Sequence, residues 1–250
     1  MILHYEYHEI NQTTPIVFIH GLFGSLSNLG MLARAFTESH STLQIDVRNH
    51  GKSAHSSEMN YELMAQDILD TIDSLNIKNF IVIGHSMGGK IAMKLSEISH
   101  NRLEKLIILD MSPFEYLDSH HTHIFKALFA VQHAHIETRS QAISIMKDYI
   151  QEDTVIQFLL KSFYKGKWLF NVEAIYQNYS KILSWNKIFT NTATLFIRGG
   201  YSPYISTDAH IDSIAAQFSN AELVTIDQAG HWLHAEKTTE VVLKIKEFIK

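Results

Sequence analysis

Cysteine does not occur in this chain of 250 residues. That excludes a disulfide framework, a thiol nucleophile and zinc held by thiolates. Proline occurs only three times, and no stretch rich in glycine and proline divides the chain. Positive charge is not in surplus: 21 Lys and Arg stand against 26 Asp and Glu, a formal net charge of −5. Such a balance offers no general footprint for nucleic acid or for an anionic membrane surface. No window of eighteen apolar residues exists to span a bilayer. Residues 1–10 (MILHYEYHEI) lack the basic-then-apolar order of a secretory leader. The expectation is a soluble cytoplasmic protein without stable membrane insertion, as a monomer or a homodimer. What is present in excess is histidine, with 16 residues. Histidine is the usual proton shuttle and the commonest metal ligand.

The length fits one large domain, or a core with one sizeable insertion. Short apolar runs at Ile16–Ile19, Leu43–Val47, Phe80–Ile83 and Leu106–Leu109 read as strands buried on both faces, as in a parallel sheet. Between them lie helical patterns. Tyr61, Met64, Ala65, Ile68, Leu69, Ile72 and Leu75 share one face, with Asn60 placed to cap the helix. From Pro113 to Phe189 the alternation stops, and amphipathic helices are expected at His123–Val131, Ser140–Ile150 and Thr154–Phe163. It resumes with a strand at Thr194–Ile197, a helix near Asp208–Phe218, a strand at Glu222–Ile226 and a helix over Thr238–Ile249. The expected architecture is an α/β fold with a mostly parallel sheet flanked by helices. Residues 1–112 and 190–250 form its core, and a helical cap at 113–189 follows the strand after the nucleophile turn. The cap is dense in aromatic residues, some of which would line a pocket.

Gly84-His85-Ser86-Met87-Gly88 directly follows the Phe80–Ile83 strand and opens a helical pattern. G-x-S-x-G in that context is a nucleophile elbow, a tight strand-to-helix turn with a serine at its tip. His85 is not taken as the base, because at such a turn its backbone directs it away from the serine hydroxyl. Packing or hydrogen bonding suits it better. Acyl transfer also needs donors aimed at the developing oxyanion. One is the backbone N–H of Met87. The other belongs to the loop Gly21-Leu22-Phe23-Gly24 after the first buried strand, either Leu22 or, as the close alternative, Phe23.

The base follows the last strand, because chain order in this architecture is serine, acid, histidine. His231 in Ala229-Gly230-His231-Trp232 takes that place, ahead of His234. The loop after the penultimate strand usually carries the acid, but here it offers Ser202, and Asp208 and Asp227 are poorly placed. Asp110, immediately after Leu106–Leu109, is the better acid: a carboxylate at that strand end can approach the base from the neighbouring strand.

HGLFGSLSNLG (His20–Gly30), DVRNHGKS (Asp46–Ser53), GHSMGGK (Gly84–Lys90), QFLLKSF (Gln157–Phe163), GGYSPYIS (Gly199–Ser206) and AGHWLHAEK (Ala229–Lys237) together resemble the α/β-hydrolase superfamily. Within it they are most similar to the YbfF-type bacterial esterases, and the likeness runs through core and insertion. The resemblance implies an α/β-hydrolase fold and hydrolysis of acyl esters and acyl-CoA thioesters. It also implies an acid after the strand following the elbow, which falls on Asp110. No cofactor is required and no metal is expected, and the partner is a small-molecule acyl ester or thioester. Arg48 and Asn49 read as residues that tie down neighbouring loops. The histidine clusters at His120/His121/His123 and at His133/His135 read as solvated surface groups rather than a metal site. Rival readings are an aminopeptidase, which needs acidic cap residues to hold a free amine, an acyltransferase, or a weakly catalytic receptor.

Overall fold

The apolar runs become the centre of one twisted sheet, because strands flanked by helices on both faces must be apolar on both faces. The computed structural model describes residues 1–10, 13–116 and 121–250. In chain order it has β1 (Tyr5–His8), β2 (Ile16–Ile19), α1 (Gly30–Arg34), β3 (Thr42–Ile45), α2 (Tyr61–Ser74), β4 (Phe80–His85), α3 (Met87–Ile98) and β5 (Leu103–Leu109). Then come α4 (Thr122–His133), α5 (Arg139–Met146), α6 (Asp153–Leu160), the hairpin strands β6 (Phe163–Tyr164) and β7 (Lys167–Trp168), α7 (Val172–Gln177) and α8 (Tyr179–Leu183). The alternation ends with β8 (Ala193–Gly199), α9 (Asp208–Gln217), β9 (Ala221–Ile226), α10 (Leu233–Glu236) and α11 (Thr238–Ile249).

The sheet has seven strands in the order β1-β3-β2-β4-β5-β8-β9. Only β1 runs antiparallel, pairing Tyr5 with Ile45 and His8 with Thr42 at one edge. It escapes the sequence pattern because Tyr-Glu-Tyr-His alternates half-buried rings with exposed polar groups instead of forming an apolar run. The β6–β7 hairpin is likewise unanticipated, since two-residue strands carry no periodicity. Within the central strands, successive side chains enter opposite layers. Val17, Ile19, Val82, Ile108 and Phe196 pack with α2 and α3, while Ile16, Phe18, Ile81, Ile83, Ile107, Leu109 and Ile197 pack with α1 and α11.

Loops at the carboxyl ends of the strands are held by buried polar groups. Arg48 donates from Nε and Nη2 to the Asp67 carboxylate at 2.6 and 2.9 Å, and from Nη1 to Glu58 O at 2.8 Å. Asn49 Oδ1 accepts from Ser56 N–H, and its carbonyl accepts from Asn171 N–H at 2.8 Å. Both residues therefore tie loops together, as their sequence context suggests. Asn60 caps α2 by accepting from Leu63 N–H.

The turn between β4 and α3 is a tight junction. A Cβ on Gly88 would lie 2.2 Å from Ile19 O, and one on Gly84 would lie 2.3 Å from Gly88 O. Only hydrogen at these two positions lets the first turn of α3 rest against the ends of β2 and β4. Gly88→Ala is therefore expected to cost about 1–3 kcal/mol or more, as an overpacked backbone contact does. Gly30, in α1, has only ordinary contacts at 3.5 Å and beyond for an added Cβ. Gly30→Ala is expected to be neutral, or stabilising by up to about 1 kcal/mol. Urea unfolding midpoints of the two variants check the contrast.

Candidate active site

Ser86 sits between β4 and α3 with φ 55° and ψ −121°, a conformation that L-residues rarely adopt. Asp110, the first residue past β5, has φ 53°, and Phe23, in the loop after β2, has φ 62°. Three of the nine non-glycine residues with positive φ among the described residues therefore stand on the loops that converge here.

The strands bring Ser86, His231 and Asp110 together from three separate stretches of chain. His231 Nε2 lies 3.0 Å from Ser86 Oγ, and its Nδ1 lies 2.6 Å from Asp110 Oδ2. A carboxylate only accepts, so Nδ1 carries the proton and Nε2 is left to accept the serine hydroxyl. Asp110 is fully buried. Its Oδ1 also accepts from Gly199 N–H at 2.9 Å, and its Oδ2 accepts a short hydrogen bond from the Ser202 hydroxyl. In sequence Ser202 reads only as a position lacking an acid; in the structure it donates to the Asp110 carboxylate at the end of the neighbouring strand. Asp208 begins α9 behind its Thr207 cap, and Asp208 and Asp227 are both exposed. His85 turns away from the serine hydroxyl and donates from Nε2 to His231 O at 2.9 Å. His234 packs its ring 4.3 Å from that of His85.

The loop after β2 is pinned at consecutive peptide groups by two histidines. His20 Nε2 accepts from Val47 N–H at 3.1 Å, so its Nδ1 donates to Gly21 O at 2.8 Å. His50 Nε2 accepts from Phe23 N–H at 3.1 Å, and its Nδ1 donates to Arg48 O at 2.9 Å. The Phe23 N–H is thus engaged. The N–H groups of Leu22 and Met87 have no hydrogen-bond acceptor among the described residues. The Phe23 carbonyl accepts from Ser162 Oγ at 3.0 Å.

A model of the alpha/beta hydrolase family matches residues 16–244. The chain belongs to this family. It is 45% identical over 240 residues to the esterase YbfF of Escherichia coli, covering 96% of this chain and 94% of that one. It is 35% identical over 253 residues to the sn-1-specific diacylglycerol lipase ABHD11 of Danio rerio, covering 95% of this chain and 79% of that one. Among solved structures, a marine microorganism esterase superposes with a TM-score of 0.92 at 33% identity, covering 99% of both chains.

In this alpha/beta hydrolase the pocket beside Ser86 is lined by Leu22, Met87, Tyr61, Tyr116, Tyr179 and Tyr204, with Lys90 and Met111 among the remaining walls. Its cavity is small, about 50 Å³. Tyr116 and Tyr204 separate it from a wider cleft of about 1020 Å³, which Phe114, Trp185, His210 and Gln217 also line. Tyr204 covers the imidazole of His231 with ring centroids 4.1 Å apart. Lys90 is buried and had no signal in the sequence beyond a lysine inside an otherwise apolar helix face; burial pushes its ammonium down to about 7.

The histidine excess is partly a core feature. His20, His50, His85, His210 and His234 are buried, whereas His123, His133 and His135 are exposed. His121 meets the Tyr179 hydroxyl at 2.5 Å, and His120 lies outside the described residues. No group of three candidate metal ligands occurs among the described residues. No helix there is long and apolar enough to cross a membrane.

Burial, with the neighbouring His20 adding to it, pushes His50 down to about 3, and burial, with His231 adding, pushes His234 to the same value. His20 and His85 are lowered too, mainly by burial. These rings stay neutral in the folded chain but take up protons once unfolded; for His50 and His234 the contribution is present above about pH 6.5 and is lost as pH falls toward 3. Acidification to pH 5 is expected to cost about 2 kcal/mol for each of His50 and His234. Urea unfolding measured from pH 7 to pH 5 should show the steep loss; a flat profile would contradict neutral burial.

Proposed function

We propose that this chain is a serine esterase that hydrolyses small acyl esters, and acyl-CoA thioesters by the same chemistry, through an acyl-enzyme intermediate. The observation that carries the reading is the continuous hydrogen-bonded series from Ser86 Oγ through His231 to the buried Asp110, set on a strained strand-to-helix turn. His231 Nε2 takes the Ser86 proton as Oγ attacks the acyl carbon, and Asp110 holds the ring in the needed tautomer and stabilises its charged form. The N–H groups of Leu22 and Met87 receive the oxyanion, at the start of α3 where the helix dipole favours negative charge. His231 then returns its proton to the leaving alkoxide or thiolate. Water, deprotonated by the same ring, attacks the acyl-enzyme and frees Ser86.

Residues 113–189 serve as the cap over this site. The small pocket takes the acyl group, and the wider cleft beyond Tyr116 and Tyr204 takes the alcohol or thiol portion. Esterases and lipases among the relatives support the reaction class. Glu115 and Asp212 line the wider cleft, but the small acyl pocket has no Asp or Glu among its described lining residues, so an aminopeptidase, which must hold the free amine of its acyl portion, is disfavoured.

A panel of p-nitrophenyl esters and acyl-CoAs tests the proposal. Ser86→Ala should lower kcat at least about 10³-fold, and undiminished hydrolysis would refute the mechanism. Asp110→Asn should lower kcat by about 10²- to 10⁴-fold, whereas Asp208→Asn and Asp227→Asn should stay near wild type. A large loss at either of the latter two alone would move the acid elsewhere.

A further inference from the structure

Lys90 lies one turn after Ser86 on α3, its N–H bonded to Ser86 O at 3.2 Å. Helical side chains lean toward the helix N-terminus, so its stem inclines toward the serine end of the pocket that it lines. It is 1% exposed, and no described carboxylate forms an ion pair with it. The contrast with the next lysine on the same helix is informative: Lys94 meets Glu62 at 3.4 Å and Glu97 at 2.7 Å. At position 90 the ammonium donates hydrogen bonds of 3.3 Å to the carbonyls of Leu183 and Ser184, lies over the rings of Tyr61, Tyr116 and Trp185 at 5.0–5.7 Å, and feels the Glu115 carboxylate from a distance without an ion pair. Carbonyls and ring faces soften the cost of a buried charge without cancelling it, and an apolar side chain of similar volume would fill the space more cheaply. An ammonium kept there needs a further partner.

The other polar groups of the lining are engaged. Tyr61 OH donates to Ile182 O at 2.7 Å, Tyr116 OH donates to Tyr204 O at 2.6 Å, and Tyr179 OH contacts His121. Among the described lining residues Lys90 is the one Lys or Arg, and no Asp or Glu among them lines the pocket to repel an anion. The cavity of about 50 Å³ restricts the acyl chain to a few carbons.

We infer that Lys90 is the specificity-determining residue of the acyl pocket, and that it selects acyl groups ending in a carboxylate: half-esters of short dicarboxylic acids. This rests on the serine-esterase reading, with the acyl group on the Lys90 side of Ser86. The bond broken is still the ester C–O bond and water is still the co-reactant. The distal carboxylate is spectator to the chemistry and pairs with the ammonium of Lys90.

The test compares kcat/KM for monoethyl succinate with that for ethyl 4-methylpentanoate, in which two methyl groups replace the carboxylate oxygens. Wild type should favour the anionic ester by about tenfold or more, and Lys90→Met should shrink that ratio by about 10- to 100-fold, the range for a hydrogen bond between charged groups. Lys90→Gln, which keeps a donor but no charge, should shrink it as well. The inference is overturned if wild type prefers the neutral ester, or if the ratio is unchanged in either folded variant. The wild-type ratio decides the matter should both variants fail to fold. Hydrolysis of p-nitrophenyl acetate without preference for the succinate ester defeats this inference alone. Absence of Ser86-dependent hydrolysis of every ester defeats the esterase reading and this inference with it.

Discussion

The first turn of α3 lies against the carbonyls of Ile19 and His20, and that contact sets the spacing of everything around Ser86. Gly88 makes it possible, and Gly84 makes room for Gly88 in turn. The serine backbone is driven into a conformation that only a well-packed surrounding structure sustains. The same contact brings the end of β2 beside the start of α3, so Leu22 and Met87, from distant parts of the chain, line one small pocket. The parallel order β4-β5-β8-β9 then delivers Asp110, Ser202 and His231 from successive strand ends to the same side. A ligand site at the carboxyl ends of the strands is the usual outcome in open α/β sheets.

Histidine has two separate uses in this architecture. His231 is partly exposed and stands between the Ser86 hydroxyl and the Asp110 carboxylate. His20 and His50 are fully enclosed, and each accepts from one backbone N–H and donates to one carbonyl, a pairing that only neutral imidazole provides. They work as rigid splints between loops that have no regular secondary structure. His85 performs a related task by gripping the carbonyl of His231 itself. Composition alone cannot separate these uses, since it counts rings and not their partners.

Much of the frame was legible in the sequence because strands buried on both faces announce themselves as apolar runs, and Gly84–Gly88 announces a turn. His231 stands within hydrogen-bond reach of both Ser86 and Asp110, the residues that motif, chain order and strand position pointed to. β1 was missed because an edge strand need not be apolar. α5 ends at Met146, short of the expected Ile150, because amphipathic spacing continues past the point where helical hydrogen bonding stops. The sequence favours Leu22 over Phe23 only narrowly as an oxyanion donor, since the engagement of the Phe23 N–H by His50, reaching across from another loop, leaves no local pattern. Lys90 was silent for a similar reason: a lysine in a helical pattern reads as solvated until its surroundings are known. The short Ser202–Asp110 contact joins residues 92 positions apart, which no local pattern encodes.

The loop carrying the Leu22 N–H is fastened at three successive points: Gly21 O by His20, Phe23 N–H by His50, and Phe23 O by Ser162. Peptide groups held in this way have surrendered their rotational freedom when the chain folds. A ligand arriving there has little conformational entropy left to remove from the protein, so more of its contact energy appears as affinity. Because one of the three fasteners, Ser162, comes from the stretch of chain between β5 and β8, that stretch contributes to the stiffness of a loop far from it in sequence.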